Sequence, residues 1–291
     1  MSSMRFAMTT PLQRVLVAHA RDCYRSQAYV SANWRLARFA FEPDFEEACR
    51  ESDRLISILE DTGAVVERLA PEQCSGLDSL YVHDPVVACG PGFLLGSMGK
   101  DYRKPEVDAM ATQLRALGIE PSPMENPDAL LEGGDVVWLR PDIVAVGLGF
   151  RTNYAGFEAL TTFCGDSIQA AIPVPLPWWN GPEDVLHLMS LISPLDEDTL
   201  LVHSRLLPVA FRGWLIEEGF RLLEVPESEV DSLGGNVLAL GNGTCLIEMS
   251  NVHTIRMLQD AGFRVLTYPG RNISLAGSGG PTCLTRPLSR G

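Results

Sequence analysis

The sequence predicts an α/β protein built from five repeats of a strand, strand, helix, strand unit. Three observations predict it. Five helical stretches each run into a glycine, and these glycines (Gly63, Gly118, Gly165, Gly219, Gly262) recur at intervals of 55, 47, 54 and 43 residues. Pairs of short apolar or β-branched runs lie between the helices, joined by Gly, Pro, Asp or Asn residues suited to tight turns. A further short apolar run follows each helix.

In chain order, a strand at Val15 to Ala18 comes first. Asp44 then starts a helix as N-cap, with Glu47 three residues later and Phe45, Ala48, Cys49, Ser52, Leu55, Ile56 and Leu59 on one face, and Gly63 stops it. Val65 to Glu67 is the strand that follows. Val86 to Cys89 and Phe93 to Leu95 form a hairpin ahead of a helix from Pro105 to Gly118, where proline suits the first turn. Val136 to Leu139 and Ile143 to Val146 form the next hairpin, before a helix from Asn153 to Gly165. An apolar strand at Val185 to Met189 opens the fourth unit, whose helix runs from Pro208 to Gly219 and whose last strand is Leu222 to Glu224. Val237 to Leu240, Thr244 to Ile247, a helix from Asn251 to Gly262 and Val265 to Tyr268 make the fifth. The strand after Cys283 completes the first unit, so five units close into a ring with no free sheet edge. Closure carries loops from distant parts of the chain to one end of a central channel. Residues 1–291 therefore read as a single domain, with residues 1–11 as a tail.

Composition narrows the function classes. Apolar residues make up 46 % and charged residues 21 %, as in a globular protein with a large core. The 37 acidic and 23 basic residues leave a net charge of -14, which repels phosphate backbones and anionic lipid. Nucleic-acid and membrane partners are not expected, whereas a small cation would be attracted. No apolar run approaches the ~20 residues of a membrane helix, and Met1 to Pro11 lacks the apolar core of a secretory signal, so the expected compartment is the cytoplasm. The seven cysteines (Cys23, Cys49, Cys74, Cys89, Cys164, Cys245, Cys283) are scattered without a C-x-x-C pair, which argues against a disulfide framework or structural zinc. Six read as small buried hydrophobes.

Cys283 is different because Gly277-Ser278-Gly279-Gly280-Pro281-Thr282 precedes it. Such a loop lets backbone N–H groups approach a reacting atom, although a structural turn reads equally well from the same residues. A thiol nucleophile needs a proton carrier, and the histidines are His19, His83, His187, His203 and His253. Pattern alone does not choose among them; His187 stands out by lying in an apolar run, where an imidazole needs a polar partner. Glu132-Gly133-Gly134-Asp135 and His83-Asp84-Pro85 put carboxylates at the entrances of strands, and ordinary acidic turns are the alternative. Arg103, with Lys100 and Lys104, and Arg151 are either solvated surface or clamps for a substrate carboxylate.

Taken in order, His83-Asp84-Pro85, Glu132-Gly133-Gly134-Asp135, Gly149-Phe150-Arg151-Thr152-Asn153, His187-Leu188, Gly235-Asn236-Val237-Leu238 and Gly279-Gly280-Pro281-Thr282-Cys283-Leu284 resemble the guanidino-group-modifying enzymes. That superfamily has a five-bladed α/β propeller (pentein) fold and includes dimethylarginine dimethylaminohydrolase, arginine deiminase and the amidinotransferases. The resemblance spans Val15 to Leu288. It implies that Cys283 is the nucleophile, His187 the general acid and base, and Glu132 and Asp84 the carboxylates that hold a planar cation, with Arg103 and Arg151 on a substrate carboxylate. Deiminases and amidinotransferases commonly carry an aspartate two residues after the histidine, where this chain has Met189. That departure points toward a dimethylargininase-like hydrolase acting on a guanidine- or amidine-like carbon through a thiouronium intermediate. The alternatives are an amidinotransferase and a non-catalytic pentein that binds a ligand in the channel. No metal or organic cofactor is expected, since the chain has no H-E-x-x-H, P-loop or dinucleotide fingerprint. A homo-oligomer is compatible with the sequence.

Overall fold

The computed structural model describes residues 7–182 and 186–291. Strand β1 (Leu12–Val17) leads to two short helices, α1 (Ala20–Tyr24) and α2 (Gln27–Asn33), then to helix α3 (Phe45–Asp61) and strand β2 (Val65–Arg68). Strands β3 (Val86–Cys89) and β4 (Gly92–Leu95) precede helix α4 (Pro105–Ala116). Next come β5 (Val136–Arg140), β6 (Ile143–Leu148), α5 (Tyr154–Cys164) and β7 (Ala170–Pro175). These are followed by β8 (Ile192–Pro194), β9 (Thr199–Val202), α6 (Val209–Glu217) and β10 (Arg221–Glu224). The chain ends with β11 (Leu238–Gly241), β12 (Thr244–Glu248), α7 (Val252–Asp260), β13 (Arg264–Tyr268) and β14 (Thr285–Arg290).

The five expected helices are present, and the reason lies in their caps. Asp44 accepts the Glu47 amide at 2.8 Å and Asn153 accepts the Gly156 amide at 2.9 Å, satisfying N–H groups that a helix start leaves open. Helix α7 has no cap from its own Asn251. Instead Glu229 takes the His253 and Thr254 amides, each at 2.7 Å. All five terminal glycines have positive φ, from 49° at Gly165 to 99° at Gly262, the left-handed conformation that ends a helix.

Contacts divide the chain into two compact units. The first comprises residues 1–9 and 83–224, the second residues 10–82 and 225–291. In the first, β5-β6-β7 and β8-β9-β10 each pair an antiparallel hairpin with one parallel strand reached through a helix. The β3-β4 hairpin departs from the pattern, because α4 is followed only by a single bridge from Leu94 to Ser122. Pro121 and Pro123 flank that serine, and neither has an N–H to extend the ladder. The expected strand after every helix therefore fails here. In the second unit β11-β12-β13 repeats the pattern, and β1 pairs antiparallel with β14 and parallel with β2, as the sequence predicts for a first unit completed by the C-terminal strand.

The first unit buries two apolar clusters. One contains Val136, Trp138, Val144, Val146, Phe157 and Leu160; the other contains Val137, Leu188, Met189, Leu191, Leu200 and Phe211. Most of the expected tail, residues 1–6, lies outside the described residues, but Ala7 is buried and Met8 packs against both clusters. All cysteines other than Cys283 are buried, as expected of small hydrophobes. No described helix is long and apolar enough to cross a membrane.

Leu160 is fully buried, so Leu160→Ala should cost about 3 kcal/mol in unfolding free energy by chemical denaturation. Asp44→Ala, which only uncaps α3, should cost about 1 kcal/mol, and equal losses for the two variants would contradict this picture of the core.

Candidate active site

Five of the six residues singled out in the sequence meet in the first unit. Asp84 lies in the turn 82–85 that leads into β3, Glu132 just before the Gly133–Asp135 turn that opens β5, and Arg151 in the loop before α5. Arg103 ends a short turn before α4, and His187 precedes the turn Leu188–Ser190. The expected strand over Val185 to Met189 is not formed: Val185 lies outside the described residues, and Leu186 to Met189 are in no strand. The reason is local. The Leu188 amide is taken by the Asp135 carboxylate at 3.0 Å, and the Ser190 and Leu191 amides turn back onto the His187 and Leu188 carbonyls.

Glycine at 133 and 134 is required by crowding. A side chain at Gly133 would run into the His83 carbonyl, and one at Gly134 into the His187 ring. The Gly133 amide donates to the Asp84 carbonyl at 2.9 Å and the Gly134 amide to Asp84 Oδ1 at 3.1 Å. The two acidic turns are thereby fixed to each other through backbone.

Burial then dictates the charge pairing. Glu132 is 0 % exposed and Asp84 3 %, and a buried carboxylate persists only with partners. Arg151 Nε donates to Glu132 Oε1 at 2.7 Å, while its Nη2 lies 2.5 Å from Oε2 but too far off line to make a hydrogen bond. The Gly99 amide adds a donor to Oε1 at 2.8 Å. Arg103 Nη1 donates to Asp84 Oδ2 at 2.7 Å, and its Nε and Nη2 grip Glu106 at 2.8–3.1 Å. Glu106 had no signal in the sequence beyond its place in the first turn of α4.

His187 joins the two carboxylates, with Nε2 3.0 Å from Glu132 Oε2 and Nδ1 3.9 Å from Asp84 Oδ1. Burial disfavours its protonation, but Asp84, Asp135 and Glu132 outweigh that and raise its pKa above the ordinary 6.5. The carboxylates respond in the opposite sense. Burial pushes Asp84 up, but His187, Arg103 and Arg151 hold it well below the usual carboxylate range. For Glu132 the same burial cost is overcome by Arg151 and His187, and its pKa is also lowered. Both acids stay ionised at neutral pH.

Asp84, Glu132 and His187 offer ligand atoms within 4.8 Å of one another, close enough for a cation. Both carboxylates already carry guanidinium groups, however, and a divalent ion would sit beside two fixed positive charges. The donor set is suited to planar N–H cations, which are bound edge-on with geometry a metal does not provide.

Cys283 lies in the second unit, and its surroundings there are distinct. The residue is partly exposed, and its sulfur accepts from Asn236 Nδ2 at 3.5 Å. Asn236 Oδ1 in turn accepts the Thr282 amide at 3.1 Å, and the Leu284 amide returns to the Gly280 carbonyl at 3.1 Å. A side chain at Gly280 would strike Asn236, and one at Gly279 would strike Tyr81, so glycines here make room for a loop folded around the thiol. Asn236 appeared in the sequence only within the Gly235-Asn236-Val237-Leu238 motif.

Known proteins resemble this chain. A family model described as arginine deiminase matches residues 78–217 and 206–290. An uncharacterized protein of Aeropyrum pernix is 31% identical over 255 residues, covering 87% of this chain and 86% of its own length. Arginine deiminase of Mycobacterium tuberculosis is 28% identical over 246 residues, covering 72% of this chain and 60% of that protein. The chain thus spans less than two thirds of the length of this deiminase. Among solved structures, dimethylarginine dimethylaminohydrolase of Pseudomonas aeruginosa, complexed with citrulline, aligns with a TM-score of 0.74 at 19% identity, over 94% of this chain and 98% of that one. The N-terminal domain of ArgZ, a cyanobacterial arginine dihydrolase, aligns at 0.78 and 19% over 95% and 97%, and was solved bound to product. These alignments show the fold, which is the pentein fold that the sequence resemblance implies and with which the ββαβ repeats agree. With the family model covering well over half of its length, this chain belongs to the arginine deiminase family.

Proposed function

We propose that this protein is a cysteine-dependent hydrolase that cleaves a C–N bond at a guanidine- or amidine-like carbon. The observation that carries the proposal is the pair of buried, ionised carboxylates, Asp84 and Glu132, each holding a guanidinium and each adjacent to His187. Hydrolysis of C–N bonds in amidines is the chemistry of the family. The structures similar to this chain were solved with citrulline, with product, and with a covalently bound reaction intermediate.

In this reading a substrate guanidinium takes up lone pairs of Asp84 and Glu132, which fixes its plane. Arg151, whose Nη2 already lies off line from Glu132, turns toward a substrate carboxylate, and Arg103 does the same from the Asp84 side. Exchange of one guanidinium for another leaves the net charge of the pair unchanged. The Cys283 thiolate attacks the central carbon, forming a C–S bond, and His187 protonates the departing nitrogen as the C–N bond breaks. His187 then takes a proton from water, whose oxygen attacks the thiouronium carbon. The C–S bond breaks, the thiolate returns, and a urea-type product leaves.

Residues 1–291 act as one catalytic domain in this proposal, in the cytoplasm, where a thiol nucleophile stays reduced. The leaving group is a methylated or unsubstituted amine: Met189 in place of an acid favours the dimethylargininase-like choice, the matching family the deiminase one. No observation favours the amidinotransferase or the non-catalytic alternative.

The test is incubation with arginine, methylarginines, agmatine, guanidino acids and cyclic amidines, with assay of released amine and urea-type product. At least one substrate should turn over, and Cys283→Ser should lower kcat by at least about 1000-fold. His187→Gln should lower it by roughly 100-fold to 10,000-fold. Turnover of none of them, or full activity after Cys283→Ser, would overturn the assignment.

The pH profile provides a second check. The acid form of His187 exists below its pKa and is lost as pH rises through it, and that pKa is raised above 6.5. kcat/KM should therefore fall on the alkaline side with a midpoint above 6.5, and His187→Gln should remove that limb; a midpoint at or below 6.5 would contradict the site's electrostatics.

A further inference from the structure

Asp135 is not used by the mechanism above, yet it is fully buried in the same unit, 0 % exposed. Its Oδ1 accepts the Leu188 amide at 3.0 Å, the residue directly after His187. Thr152 acts on this carboxyl in the sense that lowers its pKa, and Thr152 Oγ1 accepts the Glu132 amide at 3.1 Å. The Asp135 carboxylate is thus tied to the backbone beside His187, and the neighbouring Thr152 to the backbone of Glu132. The other oxygen, Oδ2, is buried without a hydrogen-bond partner among the described residues. A buried carboxylate so incompletely satisfied is costly, and such cost is retained where it serves a neighbour.

The neighbour is His187. Charged groups that face Asp135 are His187 and Glu132, and those that face His187 are Asp84, Glu132, Asp135 and Arg151. Two residues after His187 stands Met189, which is 3 % exposed and belongs to the apolar cluster with Val137, Leu188 and Leu191, so the turn itself brings no charge to the imidazole. An acid there would be buried among hydrocarbon. The strand beside Asp135 is shaped to leave it room: a side chain at Gly147 would come within 2.7 Å of Asp135 Oδ1 and 3.0 Å of the Leu188 side chain.

We propose that Asp135 is a positioning residue that orients the His187 turn and supplies, from the Glu132–Asp135 motif, a negative charge that favours the protonated imidazole. The proposal rests on His187 being the proton carrier. Burial raises the Asp135 carboxyl to about 6, so its charge is present in the neutral range where the imidazole must hold a proton.

The test is NMR titration of His187 in the full-length protein, with kcat/KM measured over the same pH range. Asp135→Asn keeps an oxygen for the Leu188 amide and removes only the charge. His187 should then titrate about one pH unit lower, and the alkaline limb should move with it. kcat should fall about tenfold with KM changed less than about twofold. A merely structural aspartate would leave the His187 midpoint in place, and an unmoved midpoint in the folded variant overturns the proposal. If Asp135→Asn does not fold, Gly147→Ala displaces the carboxylate while keeping it, and the His187 midpoint should again fall; no change there is equally decisive. The titration needs no turnover, so an inactive protein with a shifted His187 would sink the proposed hydrolysis and leave this inference standing.

Discussion

The constraint on which the first unit depends is the cost of holding Glu132 and Asp84 out of water. A carboxylate with almost no exposure must be matched by charge and by donors, and the unit supplies both from several directions. Arg151 and Gly99 serve Glu132, and Arg103 and Gly134 serve Asp84. Those partners come from three loops, residues 96–104, 133–135 and 149–153, and Asp84 itself lies in a fourth, the turn 82–85. The pairing thus decides where four loops stand, and His187 takes its place between the acids as a consequence.

The pairing also prepares the chemistry. A carboxylate held below its ordinary pKa stays charged, and its charge in turn favours the protonated imidazole. The carboxylates already accept guanidinium groups from the chain itself, so the geometry a substrate needs exists before it arrives. In the proposed reaction proton carrier and cation holder are one cluster, so displacement of either acid would alter both tasks.

Buried acids are used elsewhere for a related purpose. In the second unit Glu51 takes the Asn272 and Ile273 amides at 2.7 and 3.0 Å, and Glu229 caps α7. Asp135 does the same for Leu188 in the first. In each case the acid and the amides it satisfies are well separated in sequence, so one carboxylate ties a turn to a remote segment where no strand pairing is possible.

Helices and hairpins were legible from the sequence because their causes are local. Asp44 and Asn153 cap within three residues, Gly118 and Gly262 stop helices by their own φ, and β5 and β6 are short apolar runs with turn residues between them. The grouping of Asp84, Glu132, Arg103, Arg151 and His187 came from resemblance rather than from any pattern in the residues. The single bridge at Ser122 and the turn at His187 were not legible, since each depends on a partner elsewhere in the chain; α1 and α2, though capped locally by His19 and Ser26, are too short to show a helical period. Glu106 shows this best: only the folded chain reveals that it shares Arg103 with Asp84. Sequence alone determined the order of elements and the chemical inventory, because propensity, capping and turn formation act over a few residues. Tertiary structure decided which acid meets which base, because charge pairing depends on distance in space, and burial is what makes that pairing obligatory.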